Sequence, residues 1–437
     1  MQPSLSRRSF GLSLFGLGLT GLPALPRAAQ AASSPSMASP VMTSDVPPPT
    51  LEILKWAPAT RRALQTLMDA HGHYAEGYDP TQRPYAVIDW DESAIAGNVQ
   101  ETLFHYMLDH FSFLLPAAQF QHLLDTGMGE TLLPAPFRNM AGHTISFSGL
   151  RQDILEDYQA LAAHYGHRPH PLPHEELMED AALLAFRARM ALYHQALRAA
   201  QGEEAAQKML VRLLAGQTIQ DGVALTRAAN EDALGQSIGQ STWKSPASRA
   251  GRTGPVSVTI TQGLRLTPEM ADLFQILQEQ GIDPVICTSS LEDCVAIFAT
   301  SAEYGYNLPR EHILGARLAH HKGVYSATED ASSPFPFGAG KTALLRAHMA
   351  LRKKPPLLVF AGEDSSADLL SAFPETPLCC LINRKYPAAM QPFLQKALSQ
   401  RGTATPRYVL QGRDENTGEW RPDEASIFLG ETTPRLP

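Results

Sequence analysis

Residues 83–99, RPYAVIDWDESAIAGNV, decide how this chain is read. Tyr85 to Ile88 form a short continuous apolar run, as a buried strand does, and it leads directly into Asp89, Asp91 and Glu92. A buried strand has no use for three carboxylates in four positions, and a surface turn does not need so many. Their place at the C-terminal end of a predicted strand points to a cationic partner, covalent chemistry, or both.

The rest of the composition narrows the choice. With 437 residues, 44% hydrophobic and 18% charged, the chain has a soluble globular composition and the length for a sizeable core and a second domain. The net charge is -8, and no basic run or basic-aromatic patch occurs, which argues against a nucleic-acid partner. Arg7 and Arg8 precede the apolar segment LSLFGLGLTGLPAL, and AQAAS offers a small-residue cleavage site after Ala31. Residues 1–31 therefore read as a twin-arginine-type signal peptide, implying use of the twin-arginine export machinery and a bacterial periplasmic or secreted location. The apolar segment is too short for a membrane span, so no stable membrane insertion is expected once it is removed. Its loss deletes three arginines and no acids, taking the formal charge from -8 to -11. The four cysteines, Cys287, Cys294, Cys379 and Cys380, are too few for a disulfide scaffold and lack a zinc-ligand spacing; one structural disulfide remains open.

Residues 32–50 read as a flexible linker, and 51–71 have helical spacing that Pro58 is expected to break early. From 99 to 250 the chain is rich in Ala and Leu at helical spacing, with almost no strand-like alternation. That shift predicts an inserted helical cap. The Gly/Ser/Pro loop and β-branched run in SPASRAGRTGPVSVTITQGLRLT (245–267) read as the return to the core. A helix with Thr267 as N-cap, Pro268 at its first position and Gly281 as its stop follows. Beyond it strands and helices alternate: DPVICTSS, LEDCVAIFATSAEYG, HILGARL, GKTALLRAHMALRK, PPLLVFAG, SSADLLSAF and PLCCLIN. The expected fold is α/β, a Rossmann-like parallel sheet built from residues 51–98 and 251–437, with the cap at 99–250.

In such a sheet ligands bind beyond the C-terminal strand ends. That rule gathers Asp89 and Asp91, Thr288 and Ser289, Lys341 at a helix start, and Glu363, Asp364 and Asp368. Carboxylates so crowded call for a cation, and a hard oxygen-seeking ion, Mg²⁺ above all, suits phosphate chemistry.

The ordered set VIDWDES, VICTSS, GAGK and AGEDSSAD resembles the four motifs of the haloacid dehalogenase-like hydrolases. Within them, RPYAVIDWDES and the tail YVLQGRDENTGEW resemble bacterial periplasmic phosphorylcholine-phosphatase-like members. The resemblance implies a Mg²⁺-dependent phosphatase for a small-molecule phosphomonoester. Asp89 would be the nucleophile and Asp91 the acid and base, while Thr288, with Ser289 beside it, would bind phosphoryl oxygens and Lys341 neutralise them. Ser93 keeps a hydroxyl where the family commonly has Thr. Mg²⁺ would be held by Asp89, Asp91, the Trp90 backbone carbonyl and a fourth-motif acid. That acid is Asp364 in the favoured register, Glu363 in the other, with Asp368 behind it. Two residues depart from the pattern: Glu92 adds charge beside the site, and Glu363 or its neighbour disturbs the fourth motif.

Competing readings are weaker. FGAGKT lacks the upstream glycine of a nucleotide loop, Phe335 standing in its place. The histidines at 105, 110, 164, 167, 170 and 174 are irregularly spaced, as in a surface loop. A catalytically weakened binding protein of the same fold is the main alternative. A phosphonatase would need a Schiff-base lysine from the cap, and neither Lys208 nor Lys244 is evidently so placed. Were the substrate a quaternary ammonium compound, Trp243, Tyr106 and Tyr158 are the rings available to face it.

Overall fold

The computed structural model describes residues 48–437 apart from 168–171, 353 and 386–388. The signal-peptide reading, most of the expected linker and His170 lie outside the described residues. Among the described residues no helix is long and apolar enough to cross a membrane.

The first helix, α1 (Pro58–His71), starts at Pro58 instead of being broken by it. At the first helical position the missing N–H is not needed and the ring pre-sets φ. Strand β1 (Tyr85–Ile88) and the short β2 (Ile95–Ala96) follow. The inserted segment carries α2 (Val99–Asp109), α3 (Ala117–Leu123), α4 (Phe147–Tyr165), α5 (His174–Leu177), α6 (Ala181–Gln201), α7 (Glu203–Arg212) and α8 (Ile219–Gly235). Next come β3 (Gly239–Lys244), β4 (Ser257–Gln262), β5 (Arg265–Leu266), α9 (Pro268–Glu279), β6 (Asp283–Leu291), α10 (Glu292–Ala299) and β7 (Ile313–Ala316). A hairpin of β8 (Leu318–His321) and β9 (Val324–Glu329) precedes α11 (Ala339–Arg352), β10 (Leu358–Ala361), α12 (Ala367–Ala372), β11 (Leu378–Ile382), α13 (Gln391–Ser399), β12 (Tyr408–Arg413) and β13 (Trp420–Arg421).

The central sheet runs β13-β12-β11-β10-β1-β6-β7, parallel except for the β13 edge. This is the expected α/β architecture. β1 lies inside it between β10 and β6, with Ile88 level with Phe360 of β10 and Ile286 of β6. Both faces are covered, which is why YAVI is apolar throughout. Ala86 and Ile88 pack with α1, α9 and α10, while Tyr85 and Val87 pack with α11, α12 and α13. The ends of β10, β1 and β6, side by side at the middle of the sheet, therefore deliver their following residues to one crevice.

The insertion leaves through β2 and returns through β5, which pair antiparallel as Ile95↔Leu266 and Ala96↔Arg265. It has its own core, in which Phe111, Phe113, Phe120, Tyr158 and Phe186 cluster and Phe120 stacks on Tyr158. The β-branched run at 257–262 is indeed a strand, but it pairs with β3 inside the insertion, not with the central sheet. The chain returns at residues 263–266, beyond the expected boundary at 251. Gly97 and Gly263, with φ of 100° and 90°, stand at the two crossings, and a Cβ on Gly97 would lie 2.6 Å from Leu264 Cδ2. Thr267 precedes α9 as expected, but its hydroxyl makes no capping bond. All four cysteines are buried and unbridged, so the open question of a disulfide closes against one.

Candidate active site

Asp89 follows the last residue of β1, and its N–H donates to the Phe360 carbonyl at 2.9 Å, extending the ladder to β10. Its carboxylate is buried and held on both oxygens. Lys341 Nζ donates to Oδ1 at 2.8 Å, and Ser366 Oγ donates to Oδ2 at 2.6 Å. Lys341 reaches the site from the first turn of α11 and also donates to Ser365 Oγ at 2.7 Å and Ser366 Oγ at 3.2 Å. Burial opposes its charge, but Asp89 and Glu363 outweigh that and raise its pKa.

Past Asp89 the backbone turns sharply over Trp90–Ala94, and the Ile95 N–H closes the turn on the Trp90 carbonyl. That carbonyl, expected to face a metal ion, accepts this bond with one of its two lone pairs. The turn sets the two aspartates on separate partners. Asp91 Oδ1 accepts the Val99 N–H at 2.7 Å, at the N-terminus of α2, where the helix dipole favours a negative charge. Asp91 Oδ2 accepts Ser290 Oγ at 2.6 Å, with Thr288 Oγ1 at 3.5 Å. Burial pushes its pKa up to about 7, with the charges of Asp89 and Glu92 adding, against the hydrogen bonds from Ser290 and Val99.

The other predicted residues divide. Thr288 joins the site through Asp91 and also accepts the Ser290 N–H at 3.1 Å. Ser289 faces the cavity above the strand ends, whereas Ser93 is buried without a hydrogen bond, against Gly362, where a Cβ would lie 2.4 Å from its Oγ. Ser93, expected to bind substrate, packs in the turn and is not among the residues lining the cavity. In the fourth motif both acids, Glu363 and Asp364, line the cavity, but their neighbours differ. Glu363 is the acid set against Asp89 and Asp91: burial first, then those two charges, raise its pKa well above the usual range. Asp364 lies one residue on, where the chain has turned, with the Met390 backbone and Arg384 as its neighbours. Asp368 stands at Gly338, where a Cβ would lie 2.8 Å from its Oδ2, and so buttresses the loop leading to Lys341. Sequence reading missed Ser290, Ser365 and Ser366; the hydroxyl-rich TSS and DSS runs were the available signal.

Glu92 is answered by arginines. Arg413, at the end of β12, donates to Glu92 Oε2 at 2.5 Å, and Arg384, just after β11, lies 3.4 Å from Oε1. Burial works against ionisation, but Arg384 and Arg413 prevail and hold the carboxyl at about 2. Its φ of 60° and ψ of 6° are left-handed, a conformation that costs a residue with a Cβ about 1–2 kcal/mol.

Above these residues lies a cavity of about 640 Å³ between the strand ends and the cap. The cap contributes Glu101, Arg198, Glu203 and Gln207, and Arg198 is paired with both acids. Phe337 is the only aromatic residue among the lining residues. Trp243, Tyr106 and Tyr158 do not line it; Tyr158 is in the cap core.

Among the described residues no group of three or more His, Cys, Asp or Glu side chains is arranged to hold a metal ion. That disfavours a protein cage of the zinc or calcium kind. The donor chemistry does fit Mg²⁺, which keeps several waters and takes only one or two carboxylates. Asp89, Asp91 and Glu363 are oxygen donors, and burial first, then the repulsion among their charges, raises Asp91 and Glu363.

The chain has similarity to several solved structures. A functionally unknown protein from Anaerococcus prevotii has 25% identity and a TM-score of 0.79, covering 88% of this chain and 99% of its own. A HAD family hydrolase from Salmonella enterica serovar Typhi gives 11% identity and a TM-score of 0.32, covering 71% of this chain and 66% of its own. Cytosolic 5'-nucleotidase IIIB bound to cytidine gives 11% identity and 0.36, covering 80% and 84%. No curated protein matches the chain. The family model for haloacid dehalogenase-like hydrolases matches residues 143–372, more than half of the sequence. With that match and the parallel sheet beneath it, the chain belongs to the haloacid dehalogenase-like hydrolases.

Proposed function

We propose that this hydrolase is a Mg²⁺-dependent phosphatase acting on small phosphomonoesters through an aspartyl-phosphate at Asp89. The observation that carries the reading is the pair of aspartates with divided partners. Asp89 is buried at the central strand end between Lys341 Nζ and Ser366 Oγ, while Asp91 is held apart by Val99 and Ser290.

An Asp89 oxygen attacks phosphorus, and the bond from phosphorus to the leaving oxygen breaks. Asp91, whose pKa of about 7 keeps a proton within reach at neutral pH, gives that proton to the leaving oxygen. It then takes a proton from water, which attacks the phosphoryl group, and the bond to Asp89 breaks to restore the carboxylate. Lys341, with hydroxyls of Thr288 and Ser365 nearby, offsets negative charge that develops on the phosphoryl oxygens. Asp89 and Glu363 would hold Mg²⁺, which would supply further charge neutralisation there. Both Asp91 oxygens are already engaged, which suits that side chain to proton transfer rather than metal ligation. The cap lines one side of the cavity, which would limit bulk water there.

The alternative of a catalytically weakened binding protein rested on Glu92 and Glu363. Glu92's charge is absorbed by two arginines, so only Glu363 still speaks for it. Phosphorylcholine is the narrower form of the proposal. Glu101, Glu203 and Glu415 line the cavity, the first two paired with Arg198 and the third beside Arg413 and Arg384, so an ammonium group would meet carboxylates that already have cationic partners and not an aromatic cage. We also propose export through the twin-arginine machinery to the periplasm, testable by fractionation with Arg7 and Arg8 intact or replaced by lysine. The function is tested by a phosphomonoester panel including p-nitrophenyl phosphate, phosphorylcholine and phosphoethanolamine, with and without Mg²⁺. Phosphate release that needs Mg²⁺ and vanishes in Asp89→Asn supports the phosphatase. No release from any member by folded, Mg²⁺-binding protein leaves the binding-protein reading.

A further inference from the structure

We propose that Glu92, Arg413 and Arg384 form a latch by which the C-terminal part of the chain positions the acidic turn against the fourth-motif loop. This rests on the phosphatase reading for its kinetic consequences. The turn carrying Asp89 and Asp91 and the loop carrying Glu363, Ser365 and Ser366 meet backbone to backbone. At Gly362 a Cβ would lie 2.3 Å from the Glu92 carbonyl oxygen. Arg384 spans that meeting: its Nη1 donates to the Gly362 carbonyl at 3.0 Å, and its Nη2 pairs with Glu92 Oε1. Arg413 grips the other side, with Nη2 on Glu92 Oε2 and Nη1 3.4 Å from the Glu92 carbonyl. Glu415 lies 3.7 Å from Arg413 and 4.0 Å from Arg384, so the two cations are held together.

The backbone at Glu92 adds an independent observation. A left-handed residue would be relaxed as glycine, yet here a carboxylate occupies the position and is met by two arginines distant in sequence. The same C-terminal segment also touches the cap crossing. A Cβ on Gly418 would lie 3.0 Å from Ala96 Cβ and 2.5 Å from Ile238 Cδ1. The chain after β12 is thus packed against both the acidic turn and the strand by which the insertion leaves. Arg413 lines the cavity but is buried and paired with Glu92, and the latch assigns it a positioning role.

The test compares Glu92→Gly, Arg413→Ala, Arg413→Lys and the double variant Glu92→Gly/Arg413→Ala in the full chain. A latch predicts that Glu92→Gly lowers kcat by about tenfold or more on every phosphomonoester turned over, with KM within about twofold. Arg413→Lys retains more activity than Arg413→Ala, and the double variant is no slower than the slower single one. Hydrogen exchange supplies a readout independent of turnover. Amides in 89–99 and 361–366 exchange faster in Glu92→Gly, by about tenfold, while cap peptides in 181–212 are unchanged. Wild-type kcat in Glu92→Gly overturns the proposal, as does a change confined to KM for particular substrates, which would make the arginines substrate contacts. If the wild type turns over no phosphomonoester, the phosphatase reading fails by itself. Exchange then decides the latch, and unchanged protection of 89–99 overturns it.

Discussion

Replacing Lys341 by Met tests the electrostatic economy of the site, because the ammonium is fully buried and lies among carboxylates. It donates to Asp89 at 2.8 Å and to Ser365 at 2.7 Å, and Glu363 depends on its charge as well. Met matches its length and fills the space, so the change removes charge and hydrogen bonds with little loss of packing. Breaking one side of a buried ion pair costs about 3–5 kcal/mol, because the remaining charge stays desolvated. Among the described residues Asp89 then keeps the Trp90 N–H and the Ser366 hydroxyl. Lys341→Met should therefore lower the unfolding free energy by about 3–5 kcal/mol in urea titrations at pH 7 with EDTA present. Asp89→Asn/Lys341→Met removes the stranded charge and should recover a large part of that loss. The reasoning is refuted if Lys341→Met is within about 1 kcal/mol of wild type, or if the double variant is no more stable than the single one.

Three further outcomes follow from particular contacts. Glu363→Gln should raise the Mg²⁺ concentration needed to increase the melting temperature by about tenfold or more, whereas Asp364→Asn should change it little; the reverse order would restore the register that sequence alone favoured. Glu92 has a pKa of about 2 in the fold against an ordinary 4.5, so the stability it contributes is present above pH 4.5 and is lost as pH falls towards 2. Glu92→Gln should flatten that acid loss by at most about 3 kcal/mol, read from unfolding midpoints between pH 5 and pH 2; an unchanged acid limb would contradict it. Gly362→Ala would press a Cβ to 2.3 Å from the Glu92 carbonyl, a backbone atom that cannot swing aside. It should cost about 1–3 kcal/mol by thermal melting and most of the activity, while Gly402→Ala, with nothing within 4 Å but a φ of 78°, should leave activity intact.

What could be read in the sequence follows from short-range pattern and topology. Asp89 and Thr288 were legible because an apolar strand ending in polar residues marks the binding edge of a parallel sheet wherever it lies in the chain, and Lys341 because it opens a helix at that same edge. YAVI could be recognised as buried because both faces of β1 are covered. Pattern failed where partners are remote. Glu92 could not be assigned because its arginines come from the far end of the chain, at 384 and 413. The strand at 257–262 was recognisable from its β-branched alternation, but alternation does not say which sheet a strand joins, and β3 claimed it. Glu363 and Asp364 are adjacent, and only the backbone turn after β10 decides which one faces Asp89. Aromatic residues suggested a cation-binding cage by composition, yet Tyr158 was needed in the cap core, where it stacks on Phe120.

The central claim is that Asp89 is the nucleophile of a Mg²⁺-dependent phosphatase. Its most direct test is acid-quench trapping of wild type and Asp89→Asn after mixing with a turned-over phosphomonoester and Mg²⁺, with the modified peptide identified by mass spectrometry. The account predicts a hydroxylamine-sensitive phosphoryl group on the peptide containing Asp89 in wild type, and neither phosphoenzyme nor phosphate release in Asp89→Asn. Phosphate release at the wild-type rate by Asp89→Asn, or a phosphoryl group trapped on another residue, would contradict it.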